Sequence, residues 1–185
     1  MDFGQYPYPS RRRLLFGCGG AVASSQPLAV SAGMKMLQQG GNAVDAAVAM
    51  AAALVVVEPT SNGLGSDAFA IVAEGERVFG LNASGPSPAG LPAGEFSGQD
   101  EMPTRGWPAV TVPGAVAAWA ELQQRWGQLD WEQLLEPAIA YARQGFPVSP
   151  LTARAWQRTA RRIGELAGRS TNTSNRSSSS RAGPQ

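Results

Sequence analysis

The 185 residues contain no histidine, which removes the commonest general base and metal ligand from the chemistry open to this chain. The single cysteine, Cys18, has no imidazole to activate it, and it can form neither an intramolecular disulfide nor a cysteine-based zinc site. It is expected to be a small packed side chain rather than a nucleophile. The stretch "EPTSNGLGSDAFAIV", residues 58–72, raises another possibility, because a glycine-rich turn can gather backbone N–H groups around a phosphate. Such a site runs from a strand into a helix and is finished by a lysine and a hydroxyl residue. Here the apparent order is helix into strand, with no lysine nearby. Gly63 and Gly65 are expected instead to permit positive φ and close contact between the strand and the helix before it. No cofactor and no metal are expected.

Composition narrows the classes further. Hydrophobic residues make up 43% and charged residues 16%, as in an ordinary globular domain with one core. The 15 basic and 14 acidic residues nearly balance, but Arg169, Arg176 and Arg181 lie at the C-terminal end without any acidic neighbour. The body before them therefore carries 12 basic and 14 acidic residues, or net −2, which argues against nucleic acid as a partner. Ser10 to Leu15 fits a twin-arginine export pattern, with an Ala-Val-Ala cleavage pattern at Ala21 to Ala23. The apolar run after the arginines, Leu14 to Phe16, is too short for a working export core. A cytoplasmic location is expected, with the periplasm as the alternative, and no run approaches a membrane span. Residues 1–19 then read as a polar arm leading into a short strand around Ala21 to Ala23.

The elements that would position any site follow from periodicity and punctuation. "SSQPLAVSAGMKMLQQGG" reads as an amphipathic helix with Ser25 as its cap, Pro27 in its first turn and Gly40 or Gly41 as its stop. Asn42 caps a second helix, and Asp45 faces the free N–H groups of its first turn. From Ala46 to Val57 that helix has no polar residue, so it should be buried on all sides until Glu58-Pro59 ends it. Ala68 to Ala73 and "VFGLNAS" form a β-hairpin around Gly75, lying against the alanine-rich helix. Pro86 to Pro108 is a long surface or cleft-lining loop. Two helices follow. The first places Ala115, Trp119, Leu122 and Trp126 on one side. The second has a capping box at Asp130 and Gln133, a kink or split at Pro137, and a stop at Gly145. Ser149-Pro150 opens a last helix to about Leu166. The Ser/Arg-rich residues 169–185 cannot offset the entropy of ordering and are expected to be a disordered tail.

The run "VASSQPLAVSAGMKMLQQGGNAVDAAVAMAAALVVVEPTSNGLGSDAFAIV" strongly resembles the start of the large subunit of γ-glutamyltranspeptidases, including the acylase-like branch of that family. "LNASGPSPAGL", "VTVPGAVAAWAELQQRWG" and "LDWEQLLEPAIAYARQGFPVSP" continue the likeness in the same order, so that residues 20–168 form one incomplete large-subunit-like region. The resemblance implies an α+β fold: part of the αββα sandwich of N-terminal nucleophile hydrolases, here a helix-rich fragment with a β-hairpin. It also implies an amidohydrolase or acyltransferase acting on γ-glutamyl, glutathione-type substrates. In that family the new N-terminal threonine of the small subunit attacks the amide, its own α-amine serving as base. Thr60, Thr104, Thr111, Thr152 and Thr159 fall in segments matching large-subunit sequence, and Thr171 and Thr173 lie in the tail, so no catalytic residue is assigned. Asn82 and Ser84 match positions of the acylase-like branch and are the candidate substrate-binding residues. An asparagine and a serine at a strand end also commonly satisfy local backbone. Pro86 stands where the family carries a carboxylate-binding arginine, which would weaken recognition of glutamate or shift specificity to another acyl group.

The expectation is thus a truncated large subunit, inactive alone, whose γ-glutamyl or acyl-amide substrate is bound only when a small subunit completes it. A half that assembles with a separately encoded nucleophile-bearing subunit, and a non-catalytic exported interaction protein, are the alternatives.

Overall fold

The computed structural model describes residues 17–92, 94–104 and 106–179. The arginine pattern of the arm and the last residues of the tail lie outside them. The first helix, α1 (Pro27–Gln38), and the second, α2 (Ala43–Val57), form a close antiparallel pair. The cap of α1 is Gln26 rather than Ser25: its buried side-chain oxygen accepts the Leu28 N–H, while the Ser25 hydroxyl donates to Glu58 Oε2 at 2.8 Å. The start of α1 is thereby tied to the end of α2. Small residues let the two backbones approach, since a Cβ on Gly33 would sit 2.7 Å from Met50 Cγ. Gly40, at φ 88°, supplies the left-handed stop that the sequence predicts.

Asn42 and Asp45 form the capping box of α2. Asn42 Oδ1 accepts from Val44 N (2.8 Å) and Asp45 N (3.1 Å), and Asp45 Oδ2 accepts from Asn42 N (2.8 Å). Asp45 does more than cap. It is 1% exposed, and its Oδ1 also accepts from Gln128 N (3.0 Å) and Leu129 N (3.2 Å), which lie between α3 (Ala115–Trp126) and α4 (Trp131–Gln144). Asn42 Nδ2 donates to Trp126 O from the same corner. Gly41 is fitted into this junction, where a Cβ would lie 2.7 Å from Leu129 Cδ1 and 2.9 Å from Met36 O.

The core gathers Met36, Val48, Ala49, Trp119, Leu122 and Leu134 from α1 to α4. Burial of α2 on all sides is not reached: Ala43 and Ala47 are exposed, and Met50, Ala51, Leu54, Val55 and Val56 are only half-buried. Helices α1, α3 and α4 cover one part of its surface, and nothing among the described residues fully covers the rest. α4 is not split at Pro137; the buried face Leu134, Pro137 and Ala138 packs on α2, and that burial offsets the missing N–H. Its caps, Asp130 with Gln133 and Gly145 at φ 79°, are those predicted.

Strands β1 (Ala68–Glu74) and β2 (Arg77–Ala83) pair antiparallel, Phe69 opposite Asn82 and Glu74 opposite Arg77, around Gly75 at φ 60°. The hairpin packs chiefly on α3 rather than on α2, with Ala70, Val72 and Leu81 against the core and Phe79 at 5.4 Å from the Trp126 ring. Its other face presents Phe69, Ile71 and Val78, which are 67%, 82% and 69% exposed. The strand expected at Ala21 to Ala23 does not form; with no partner strand beside it the segment stays irregular, and Val22 packs at the core edge. Cys18 is exposed, not packed. The last helix, α5 (Pro150–Ser179), starts with Ser149 Oγ accepting the Thr152 N–H at 3.2 Å. It runs past Leu166 to Ser179, whereas composition predicts disorder from residue 169; extending an existing helix needs no new nucleus. Among the described residues, no helix is long and apolar enough to cross a membrane.

Candidate functional site

The candidate residues sit where β2 runs out into the long loop. Asn82 Oδ1 accepts the Ser84 N–H at 3.0 Å, a short side-chain turn that bends the chain at the strand end. The Ser84 carbonyl accepts from the Thr111 hydroxyl at 3.1 Å, and Thr111 Oγ1 lies 3.4 Å from Asp67 Oδ1. One residue further, Val112 N donates to Pro86 O at 3.0 Å. Residues 111–114 therefore strap the main chain of 84–86, Thr111 through its hydroxyl and Val112 through its N–H.

Two glycines make this crossing possible. Gly85 has φ 72°, and a Cβ there would overlap Val112 O at 1.7 Å; a Cβ on Gly114 would lie 2.0 Å from Ala83 O. The glycine-rich turn between α2 and β1 serves the same junction from below. Ser66 O accepts from Gly114 N (3.2 Å) and Ala115 N (2.9 Å), supplying the acceptor that α3 lacks because its cap residue is glycine. The Ser66 hydroxyl donates back to Gly63 O at 2.6 Å. Gly63 and Gly65 themselves differ from expectation. Neither has a positive φ, and an added Cβ would come no nearer than 4.0 Å to any other atom at Gly63 and would meet none within 4 Å at Gly65.

The result is an open pocket of about 580 Å³ with Asn82, Ser84 and Pro86 on one wall and Val112, Pro113 and Ala117 on the other. The structure brings the three sequence-predicted residues together there. Asn82 and Pro86 are exposed and Ser84 is half-buried. No charged side chain lines the pocket. A neighbouring apolar pocket of about 510 Å³ shares Val112 and Pro113 and is walled by Pro88, Leu91 and Trp107, with Glu95 at its edge. Such a cleft can hold a largely apolar group and offer it a few hydrogen bonds. The Thr111 hydroxyl lies 3.1 Å from the Ser84 carbonyl it holds and 3.4 Å from Asp67 Oδ1, so it is engaged in the strap. Thr111, Gly85 and Gly114 were not singled out as site residues from the sequence. The available signal was the β-branched run Val110-Thr111-Val112 before Pro113-Gly114, an extended segment ending at a helix start.

A family model described as Gamma-glutamyltranspeptidase matches residues 29–179. The chain is 43% identical over 131 residues to the glutathione hydrolase-like YwrD proenzyme of Bacillus subtilis (strain 168), covering 69% of this chain and 25% of that one. It superposes on the crystal structure of cephalosporin acylase from Bacillus halodurans with TM-score 0.79 and 49% identity, over 89% of this chain and 31% of that one. The Helicobacter pylori γ-glutamyltranspeptidase structure matches with TM-score 0.75 and 30% identity, over 83% and 46% of the two chains. The chain spans about a quarter of the length of the curated relatives it matches.

Proposed function

Because the chain belongs to the γ-glutamyltranspeptidase family and carries a partial N-terminal nucleophile hydrolase fold of its acylase-like branch, we propose that it is the N-terminal part of the large subunit of a γ-glutamyltransferase-like amidohydrolase. On this reading the chain supplies scaffold and one wall of the acyl pocket. The nucleophile, an N-terminal threonine, comes from polypeptide outside these 185 residues. The observation that carries the proposal is the strapped segment Asn82 to Pro86. It lies inside residues 29–179, which the family model matches, and it forms a pocket wall without catalytic groups of its own.

The roles follow from chemistry. Attack on an amide by a threonine hydroxyl needs a base within hydrogen-bond reach, and a free α-amine on the same residue provides one. No threonine of this chain is N-terminal, so none has a free α-amine without a cut immediately before it. Thr111 holds the strap, and Thr152 is buried against the Ser149 hydroxyl at 2.9 Å. The pocket wall would position the acyl group, with Asn82 and Ser84 as hydrogen-bonding groups and Pro86 offering neither charge nor donor.

The test is labelling with an electrophilic glutamine analogue followed by mass spectrometry. The chain alone should carry no adduct and release nothing from a γ-glutamyl anilide. Assembled with a nucleophile-bearing subunit, the adduct should sit on that subunit's N-terminal threonine. An adduct on any threonine of this chain overturns the proposal.

A further inference from the structure

The wall opposite Asn82, Ser84 and Pro86 offers few positions at which this pocket alone would change. Gly114 admits no side chain, since a Cβ would lie 2.0 Å from Ala83 O. Val112 and Pro113 also line the neighbouring apolar pocket, so a change at either alters both. Ala117 lines the candidate pocket and not its neighbour. It is exposed, in the first turn of α3, directly before the buried Ala118 and Trp119 that hold this helix on the core. Its position is fixed from a second side. Ser66 O accepts from Gly114 N and Ala115 N, and Gly114 abuts the Ala83 carbonyl at the end of β2. The start of α3 and the facing wall therefore share one backbone junction.

We propose that Ala117 is a specificity-determining residue of this site: its methyl group, on a helix held in place, sets how bulky an acyl group the pocket admits. The inference rests on the proposed function, in which this pocket receives the acyl group. With only a methyl group at 117 the pocket keeps about 580 Å³, room for a ring-bearing acyl group as well as a slender one. A larger side chain at 117 would take that room directly. The backbone cannot shift to restore it without pulling α3 away from Ser66 and from the core contacts of Trp119 and Leu122. Because position 117 is exposed and helical, the larger side chain costs the fold little. Size selection is thereby separated from stability, which the buried and glycine positions of the same junction do not allow.

The test is kcat/KM of the chain assembled with a nucleophile-bearing subunit, measured on the acetyl, phenylacetyl and γ-glutamyl p-nitroanilides. The parent assembly should cleave the phenylacetyl compound. Ala117→Phe should lower the phenylacetyl value about tenfold or more and leave the acetyl value within about twofold. Ala117→Leu, a better helix former, should act in the same direction and carries the test where the ring prevents assembly. Val116→Phe places the same ring at an exposed neighbour that does not line the pocket, and should leave the phenylacetyl-to-acetyl ratio within about twofold of the parent. A purely structural defect lowers both values together, so the ratio is the readout. An unchanged ratio in the Ala117 variants, an equal change in Val116→Phe, or a parent that cleaves only the γ-glutamyl compound overturns this inference and leaves the proposed function standing. An assembly that cleaves none of the three overturns both.

Discussion

Asp45 offers the sharpest test of how this fold is held. Replacing it with alanine removes the acceptor of three N–H groups, those of Asn42, Gln128 and Leu129. The Leu129 N–H is buried, so leaving it without a partner costs about 2–3 kcal/mol. The Asn42 and Gln128 N–H groups are part-buried and can recover water, at about 1 kcal/mol each. The sum is about 4–5 kcal/mol, comparable to the whole stability of a marginal domain. Asp45→Asn keeps the volume but turns an NH₂ toward one of the donors, so it should recover little. Asp130→Ala is the control: an exposed cap of α4 worth about 1 kcal/mol. Urea unfolding followed by tryptophan fluorescence gives the difference, and hydrogen exchange at the Gln128 and Leu129 amides reports the local effect even where unfolding is not cooperative. If Asp45→Ala costs no more than Asp130→Ala and both amides stay protected, the reasoning is refuted.

Gly85→Ala and Gly114→Ala each drive a Cβ into a carbonyl oxygen, at 1.7 and 2.0 Å, and should destabilise by about 2–4 kcal/mol and open residues 84–114 to limited proteolysis, whereas Gly63→Ala, with free space around it, should not. The exposed Phe69, Ile71 and Val78 should make the isolated chain bind a hydrophobic dye and self-associate at the hairpin edge, and Ile71→Lys with Val78→Thr should reduce both; a dye-silent monomeric parent chain contradicts this.

How much of this was legible in the sequence depends on how local the cause is. The caps at Asn42 with Asp45 and at Asp130 with Gln133, the stops at Gly40 and Gly145, and the turn at Gly75 each rest on a few adjacent residues, and each is found where the pattern puts it. Ser25 failed as a cap because its hydroxyl has a distant alternative in Glu58, which no local pattern displays. The glycines show the same divide. Gly63 and Gly65 stand in a glycine-rich string but have open surroundings, whereas Gly85 and Gly114 meet main-chain atoms about thirty residues away in sequence. That α2 is apolar all round was legible. That its cover is incomplete here was not, since cover is a property of neighbouring segments.

The same divide separates what holds the candidate pocket from what would tune it. The wall from Asn82 to Pro86 is fixed by the carbonyls of Ser84 and Pro86 and by the absence of a Cβ at Gly85 and Gly114, while the Ser84 and Pro86 side chains hold none of these contacts. A side chain can therefore be exchanged at 84 or 86 without loosening the strap, provided the residue tolerates the local backbone. Asn82 is different, because its side chain accepts the Ser84 N–H and bends the strand end. On the proposed function, acyl preference should thus be adjustable at 84 and 86 at little cost in stability. Substitution at 82 would shift the wall itself, and substitution at 85 or 114 would abolish it.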